Sequence, residues 1–211
     1  MRFCCSTHIR GTPLWVVILL VVGIVPRLIV NRGALPVLWP DSLTYLTTAR
    51  HMAVEGNYWL HEIYRTPMYP LFLSLFVGSD SDPNRAGLWI IFAQQLFGMA
   101  SGFLFFLTLR RAFSERVALW GTILFFLSPL QLVYEATLLT EAQFTFLLAL
   151  FLWLSGRMIE DASKQRISYI LCLTLGFSAA VLSLSRPIGQ LLLVAVWGFC
   201  FFRFGFARKT I

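Results

Sequence analysis

An apolar run that begins at Leu14 and extends to residue 34 restricts the fold of this chain more than any other sequence feature, because Arg27 is its only charge before Arg32. About 20 mostly apolar residues are enough for a helix to cross the hydrocarbon core of a bilayer. Five further windows of similar character lie at 87–109, 117–134, 138–156, 168–185 and 187–206. We therefore expect an all-α, polytopic membrane protein with about six transmembrane helices.

The composition supports a membrane location. Hydrophobic residues make up 58% of the 211 residues and charged residues only 13%, which is more apolar surface than one soluble core of this length can bury. The runs are continuously apolar rather than alternating, and this pattern excludes an outer-membrane β-barrel. No small-residue cleavage site follows the first run, so we interpret it as an uncleaved helix rather than a signal peptide.

Basic residues are distributed unequally between the two sides that six helices would create. With the N-terminus inside, the inside segments hold 11 Lys and Arg residues and the outside segments hold 5. The positive-inside rule therefore predicts a cytoplasmic N-terminus, and it explains the net charge of +7 without a nucleic acid partner. Acidic residues are concentrated outside, so we expect any chemistry to face the periplasm or exterior.

The longest connection between predicted spans covers residues 35–86, and it has helical character of its own. Asp41 or Ser42 can cap a helix there, and Gly56 can end it. The apolar residues that share one face of this helix are Leu43, Leu46, Ala49 and Ala53. Residues 68–78 are apolar but only about half a span long. We expect this outer-face loop to carry short amphipathic helices that lie on the membrane surface or dip into it.

Several charged residues fall at the outer ends of predicted spans or in the outer loop. Helix ends on one side of a bundle are close in space, so we expect these side chains to line one outward-facing cavity. They are Asp41, Glu62, Arg65, Glu135, Glu141 and Arg186. We interpret Arg27 as structural, because a charge inside an apolar run is costly unless it reaches the interface.

An ordered set of short motifs is the most specific signal in the sequence. Arg27 closes the first apolar run, DSLTY follows at 41–45 and RTPMYPLF at 65–72. The later members are SP at 128–129, LLTE at 138–141 and SRPIG at 185–189. In this order and spacing the set resembles the membrane-embedded GT-C glycosyltransferases. Within them it looks closest to the dolichyl-phosphate-mannose protein mannosyltransferase and aminoarabinose transferase group, in its bacterial RgtA/B/C/D-like branch.

The resemblance implies a glycosyltransferase that uses a polyprenyl-phosphate-linked sugar donor, made on the inside and flipped outward. It implies that Asp41 acts at the acceptor, either as a general base or as a ligand of a metal. We therefore predict no definite cofactor and keep a divalent metal as an alternative. Protein mannosyltransferases carry Glu where Ser42 stands here, which favours a glycan or lipid acceptor over a protein acceptor. The group usually continues into further helices, so we expect an N-terminal portion of such an enzyme in the bacterial cytoplasmic (inner) membrane.

The chemistry of transfer from a lipid phosphate gives the candidate residues their roles. The reaction needs a base that takes the acceptor proton and cationic groups that hold the leaving phosphate. We predict Asp41 as the catalytic residue and no metal-ligating residues. The predicted substrate-binding residues are Tyr45, Glu62, Arg65, Tyr69, Glu141 and Arg186.

Simpler interpretations stand beside these roles. Asp41 has the form of a helix cap, and Glu141 would stabilise a helix N-terminus through its charge. Arg65 and Arg186 could extend to lipid headgroups, and Glu62 could be a solvated loop charge.

For the whole chain, the alternatives are a non-catalytic or truncated membrane protein and, less favoured, a transporter subunit. A transporter would usually show polar residues within its spans or broken helices in paired halves, whereas here the polar residues cluster at one face. We expect residues 1–211 to form a single transmembrane glycosyltransferase-like domain with its outer loop at about 35–86.

Overall fold

The computed structural model describes residues 14–32, 38–56, 65–78, 83–164 and 168–200. Every regular element in these ranges is an α-helix, and no strand occurs among them. In chain order the helices are α1 (Leu14–Asn31), α2 (Pro40–Glu55), α3 (Met68–Ser74), α4 (Pro83–Ala112), α5 (Glu115–Phe126), α6 (Pro129–Ala136), α7 (Glu141–Ser163), α8 (Tyr169–Ser185) and α9 (Pro187–Cys200). The prediction of an all-α membrane protein is confirmed.

Three helices of the described part are long and apolar enough to cross a membrane, namely α1, α4 and α7. The pair α5 and α6 makes a fourth if it is counted as one broken span. Helix α8 is apolar but has only 17 residues, or about 25 Å at 1.5 Å per residue, which is less than the roughly 30 Å of a hydrocarbon core. Within the described residues a helix or bent pair lies in each predicted window, and the count of about six spans stays a prediction.

The predicted span at 117–134 is not one continuous helix. It bends by 50° between α5 and α6. Ser128 has extended backbone angles, φ −62° and ψ 117°, and Pro129 begins α6. Proline disfavours helical geometry in the residue before it and fits the first turn of a new helix. The SP motif therefore marks the point where this segment changes direction.

Helix α4 lies at the centre of the bundle. It packs most extensively against α7 and α5 and also contacts α1 and α6, while α8 lies between α7 and α9. One buried core cluster joins α1, α4 and α5 around Phe106 and Phe126, and another joins α7 to α8 around Phe151 and Leu182. A third cluster packs α2 and α3 against α4 through Tyr45, Tyr69, Ile90 and their neighbours.

Helix α2 packs against the protein through a face that only partly coincides with its apolar face. Its buried residues are Ser42, Tyr45, Thr48, Ala49 and Met52, whereas Leu43 is 57% exposed. The reason is tertiary: α3 packs against the Tyr45 side, and Thr48 satisfies its hydroxyl locally by donating to the Thr44 carbonyl at 2.9 Å. The apolar side with Leu43 is thereby left for the surroundings of the protein.

The ends of α2 show which residues cap it. Gly56 ends the helix with φ +62°, a left-handed conformation that glycine adopts without strain. At the other end, the Trp39 amide donates to Ser42 Oγ at 3.0 Å. Asp41 lies in the first turn but makes no capping hydrogen bond. Ser42 therefore caps this end, and the Asp41 carboxylate is available for another partner.

Candidate active site

A cavity of about 160 Å³ opens where α2, the start of α3, the α6–α7 connection and the α8–α9 junction meet. Its lining includes two carboxylates and two guanidinium groups from different parts of the sequence. The lining residues are Asp41, Tyr45, Arg65, Thr66, Leu139, Thr140, Glu141, Ser185, Arg186 and Pro187. Five of the predicted site residues, Asp41, Tyr45, Arg65, Glu141 and Arg186, are thus brought together.

Asp41 and Arg65 form one ion pair at this cavity. Arg65 Nη2 lies 2.5 Å from Asp41 Oδ1, and Nη1 donates to Oδ2 at 3.3 Å, so the guanidinium engages both carboxylate oxygens. The guanidinium also lies over the Tyr45 ring, 5.2 Å from its centroid. The hydrogen-bonded Asp41 carboxylate raises the pKa of Arg65 above the usual arginine value. Arg65 is therefore a fixed positive charge with a defined orientation.

Glu141 and Arg186 form a second ion pair. Arg186 Nη2 lies 3.2 Å from Glu141 Oε1, and the guanidinium lies 5.8 Å from the centre of the Phe144 ring. The other Glu141 oxygen, Oε2, is buried and has no hydrogen-bond partner in the described part of the chain. This pairing is looser than that of Asp41 with Arg65 and leaves acceptor capacity unused.

The SRPIG motif explains how Arg186 reaches the cavity. Arg186 is extended, with φ −153° and ψ 147°, between the end of α8 and Pro187 at the start of α9. Gly189 allows the two helices to meet closely, because a Cβ there would overlap the Leu182 carbonyl. The Thr66 hydroxyl donates to the Ser185 carbonyl at 2.8 Å, which ties the segment carrying Arg65 to the end of α8. The local backbone at the α8–α9 junction orients Arg186, and the tertiary contact between Thr66 and Ser185 brings Arg65 beside it.

The remaining predicted site residues do not line this cavity. Tyr69 is fully buried, packs edge-on against Tyr45 at 5.1 Å, and donates to Gln94 Oε1 at 2.6 Å, so it supports the cavity wall from behind. Glu62 lies outside the described residues. The prediction that Glu135 faces the cavity is wrong, because Glu135 is 1% exposed and pairs with Arg27 in the bundle interior.

Arg27, which was interpreted from the sequence as structural, has its charge compensated in the bundle interior. It is 4% exposed, so it does not reach the interface, and its charge is compensated inside the protein by Glu135. Sequence reasoning also missed Gln94 and Thr66. A pair of glutamines at 94 and 95 within the apolar α4 was the available signal, since polar groups within a span need partners.

The donor set of the cavity is a poor match for a divalent metal. Both Asp41 oxygens contact Arg65 and Glu141 Oε1 contacts Arg186, so Glu141 Oε2 is the one oxygen of these two carboxylates that has no arginine partner among the described residues. No cluster of three or more His, Cys, Asp or Glu side chains capable of holding a metal occurs among the residues described. Arg65 and Arg186 supply the cavity with guanidinium donors, which are groups that bind anionic oxygens.

Comparison with known proteins points to one family. The family model for dolichyl-phosphate-mannose-protein mannosyltransferase matches residues 65–210, which is more than half of the chain. The matched region begins at Arg65 and includes Glu141 and Arg186, while Asp41 and Tyr45 precede it. No curated protein and no solved structure shows a significant match.

Proposed function

Because the chain belongs to the dolichyl-phosphate-mannose-protein mannosyltransferase family, we propose that its cavity transfers a sugar from a polyprenyl-phosphate donor to an acceptor hydroxyl. The observation that carries this proposal is the convergence of two carboxylate–arginine pairs on one cavity. Such transfer requires a base and cationic groups close together. The cavity supplies both from four separate elements.

Asp41 takes the role of general base in this proposal. The acceptor oxygen attacks the anomeric carbon of the sugar, the bond from that carbon to the phosphate oxygen breaks, and the acceptor proton passes to the Asp41 carboxylate. The side chain is 53% exposed, so an acceptor can approach it. Arg65 holds the carboxylate in one orientation through two hydrogen bonds. A positioned base is worth roughly 100- to 10,000-fold in rate.

Arg65 and Arg186 hold the phosphate and neutralise it as it leaves. Their charges are balanced by Asp41 and Glu141 in the structure, so the four groups sum to zero before a ligand binds. A phosphate anion therefore binds by displacing Glu141 from Arg186, since Arg presents several donors in a planar fork, while Arg65 keeps both hydrogen bonds to Asp41 and adds its charge. The looser Glu141–Arg186 pair is the one that opens more readily.

The size of the cavity limits what it encloses. At about 160 Å³ it is smaller than typical ligand pockets of roughly 300–1,000 Å³. We infer that it receives the phosphate and the sugar, while the polyprenyl chain stays outside it in the bilayer. A divalent metal is not part of this proposal, because each carboxylate already faces an arginine.

The orientation and the acceptor are further parts of the proposal. The excess of basic residues in the predicted inside segments supports a cavity that faces the periplasm or exterior of a bacterial inner membrane. Ser42 is buried and caps α2, so it offers no second carboxylate beside Asp41. We therefore favour a glycan or lipid acceptor, in a domain with about six spans.

The proposal is tested in liposomes that contain the purified protein and dolichyl-phosphate-mannose. Release of dolichyl phosphate is measured in the presence of a mixture of glycan and lipid acceptors, so that transfer to any of them is detected. We expect Asp41→Asn to lower the rate about 100- to 10,000-fold, because the amide cannot take the proton. The thermal midpoint should change little, since Asp41 is half exposed.

Glu55→Gln is the matched control. Glu55 lies at the other end of α2, is 52% exposed and pairs with His51 at 2.8 Å, away from the cavity. This variant should transfer at the wild-type rate. Equal rates for Asp41→Asn and wild type would contradict the assignment of the base, and a wild-type protein that releases no dolichyl phosphate would contradict the proposed function.

A further inference from the structure

The buried ion pair between Arg27 on α1 and Glu135 on α6 has no part in the chemistry above. Arg27 Nη2 lies 2.5 Å from Glu135 Oε1, and the same oxygen accepts from Gln131 Nε2 at 2.9 Å. Arg27 Nη1 also donates to the Gly23 carbonyl at 2.5 Å. Both side chains are at most 5% exposed. Removing two charges from water carries a large desolvation penalty, so a pair of this kind is a weak source of stability.

Glu135 belongs to α6, a short helix whose end leads into the cavity wall. Helix α6 has eight residues, follows the 50° bend and carries Glu135 in its last turn. The chain then runs through an extended Thr137 to Leu139, Thr140 and Glu141, which line the cavity. A helix of only eight residues offers a small surface for packing against its neighbours. The position of this wall therefore depends on the contacts at the end of α6.

Gln94 on α4 holds the same point through the backbone. Its Nε2 donates to the carbonyls of Glu135 and Thr137 at 3.0 and 2.7 Å. Its Oε1 accepts from Tyr69, which packs against Tyr45 under the Arg65 guanidinium. The end of α6 is thus held by Arg27 on one side and by Gln94 on the other. The Gln94 side connects it by direct contacts to the Asp41–Arg65 pair.

The absence of a side chain at Gly98 leaves room for the Glu135 carboxylate beside α4. A Cβ at Gly98 would overlap the Glu135 carboxylate and approach Arg27 Nη2. The Arg27 guanidinium also lies 5.3 Å from the centre of the Phe126 ring, at the last residue of α5 before the bend. The charged pair therefore contacts α1, α4 and both sides of the broken span at a single point.

We propose that Arg27 and Glu135 are positioning residues that set the place of the Leu139–Glu141 wall, and with it the geometry of the active cavity. This inference rests on the proposed function for its catalytic consequence. It differs from a structural role because neutralising both partners together should preserve the fold and still impair transfer. An error of about 1 Å in the placement of reacting groups can cost roughly 100-fold in rate.

The test uses the double variant Arg27→Met with Glu135→Gln. No unpaired buried charge remains in it, and similar side-chain volumes are kept, so we expect a thermal midpoint close to that of the wild type. We expect kcat/KM with dolichyl-phosphate-mannose to fall about 100-fold. The matched control is Asn31→Leu with Gln95→Leu, which removes two reciprocal hydrogen bonds of 3.1 and 2.7 Å between α1 and α4 without touching α6. This control should keep the wild-type kcat/KM.

A second measurement reports the accessibility of the Leu139–Glu141 wall and does not depend on enzyme activity. Leu139→Cys is introduced into a background in which Cys4, Cys5, Cys172 and Cys200 are serine, and its reaction rate with a water-soluble maleimide is measured. The rate should shift when the Arg27 and Glu135 substitutions are added and should not shift with the Asn31 and Gln95 substitutions.

The outcomes separate the two proposals. A double variant with wild-type kcat/KM, or an unchanged maleimide rate at position 139, would overturn the positioning role. If the wild-type protein shows no transfer at all, the proposed function fails, and the maleimide rates still decide whether the buried pair sets the wall.

Discussion

At the residue scale, the protein handles its charges in two different ways. Asp41, Arg65, Glu141 and Arg186 are partly exposed and paired at a cavity, where partners can be exchanged with a ligand. Arg27 and Glu135 are enclosed, where exchange with solvent is prevented. Tyr69, although neutral, is enclosed in the same way. Burial, together with the nearby Glu141 carboxylate, raises the pKa of Tyr69 well above its usual value, so its hydroxyl stays a donor to Gln94.

We predict that the stabilisation from the Tyr69 hydroxyl is lost at alkaline pH. Tyr69→Phe leaves Gln94 Oε1 without its donor and should cost about 1–3 kcal/mol at neutral pH. Because the folded pKa lies above the unfolded value of about 10, the stabilisation is complete below about pH 10 and declines as pH rises further. The difference in thermal midpoint between wild type and Tyr69→Phe should therefore stay constant up to about pH 10 and narrow above it.

Tyr169→Phe serves as the control, because Tyr169 is 86% exposed at the start of α8 and its hydroxyl is not enclosed. Its substitution should leave the dependence of the midpoint on pH unchanged. If the thermal midpoint of Tyr69→Phe stays below that of wild type by a constant or growing amount above about pH 10, the role assigned to burial is contradicted.

At the scale of elements, most charged residues of the cavity lie at helix ends or between helices. Arg186 stands between α8 and α9, Glu141 begins α7, and Arg65 precedes α3. Such positions combine a fixed backbone direction with a side chain that is not committed to a helix face. The α8–α9 junction is tightly packed, because Gly189 lies against the Leu182 carbonyl. The geometry of Arg186 is therefore set by a helix–helix contact.

Gly189→Ala should separate α8 from α9 and move Arg186. The new methyl meets backbone rather than a flexible side chain, so we expect a cost of about 1–3 kcal/mol, as for other overpacked sites. For a chain of this size, the thermal midpoint should fall by roughly 2–12 °C. The KM for dolichyl-phosphate-mannose should rise in the same variant.

Gly176→Ala is its counterpart within α8. A Cβ at Gly176 has nothing within 4 Å, and alanine is favoured over glycine in a helix by up to about 1 kcal/mol. This variant should be as stable as wild type or more stable, with an unchanged KM. A similar fall in thermal midpoint and a similar rise in KM in both variants would show that the close approach of α8 and α9 does not control the site.

At the scale of the whole molecule, two kinds of arginine environment lie far apart along α7. The cavity is at Glu141, whereas Arg157 and Arg111 lie over the Trp153 ring at 5.3 and 5.5 Å. The distance along the helix from Glu141 to Arg157 is ~24 Å. Arginine and tryptophan together are typical of a membrane–water interface. The molecule thus has a basic aromatic end and an end that carries the cavity.

We predict that these two ends lie on opposite sides of the membrane. In the cysteine-free background, Glu55→Cys on α2 should react with an impermeant maleimide added outside intact cells. Phe113→Cys, which is exposed between α4 and α5 beside Arg110 and Arg111, should react only after permeabilisation. The reverse pattern would overturn the orientation and place the cavity inside.

Much of the helical framework follows from local properties of the sequence. The apolar windows became helices, Gly56 ended α2 as predicted, and the ordered motifs led to the family that residues 65–210 match. The helices and their ends depend on hydropathy or on the backbone preferences of single residues. Such preferences act over a few residues and are visible in sequence.

The tertiary structure alone decided which charged groups meet. Asp41 pairs with Arg65 across 24 positions and Glu135 pairs with Arg27 across 108. Asp41 therefore lines the cavity as predicted, whereas Glu135, which was predicted to line it, is buried. The buried face of α2 was likewise set by α3 rather than by its own apolar pattern. The sequence by itself determined a helical membrane protein of this family. The partners of its carboxylates depend on distances between helices, which no local preference specifies.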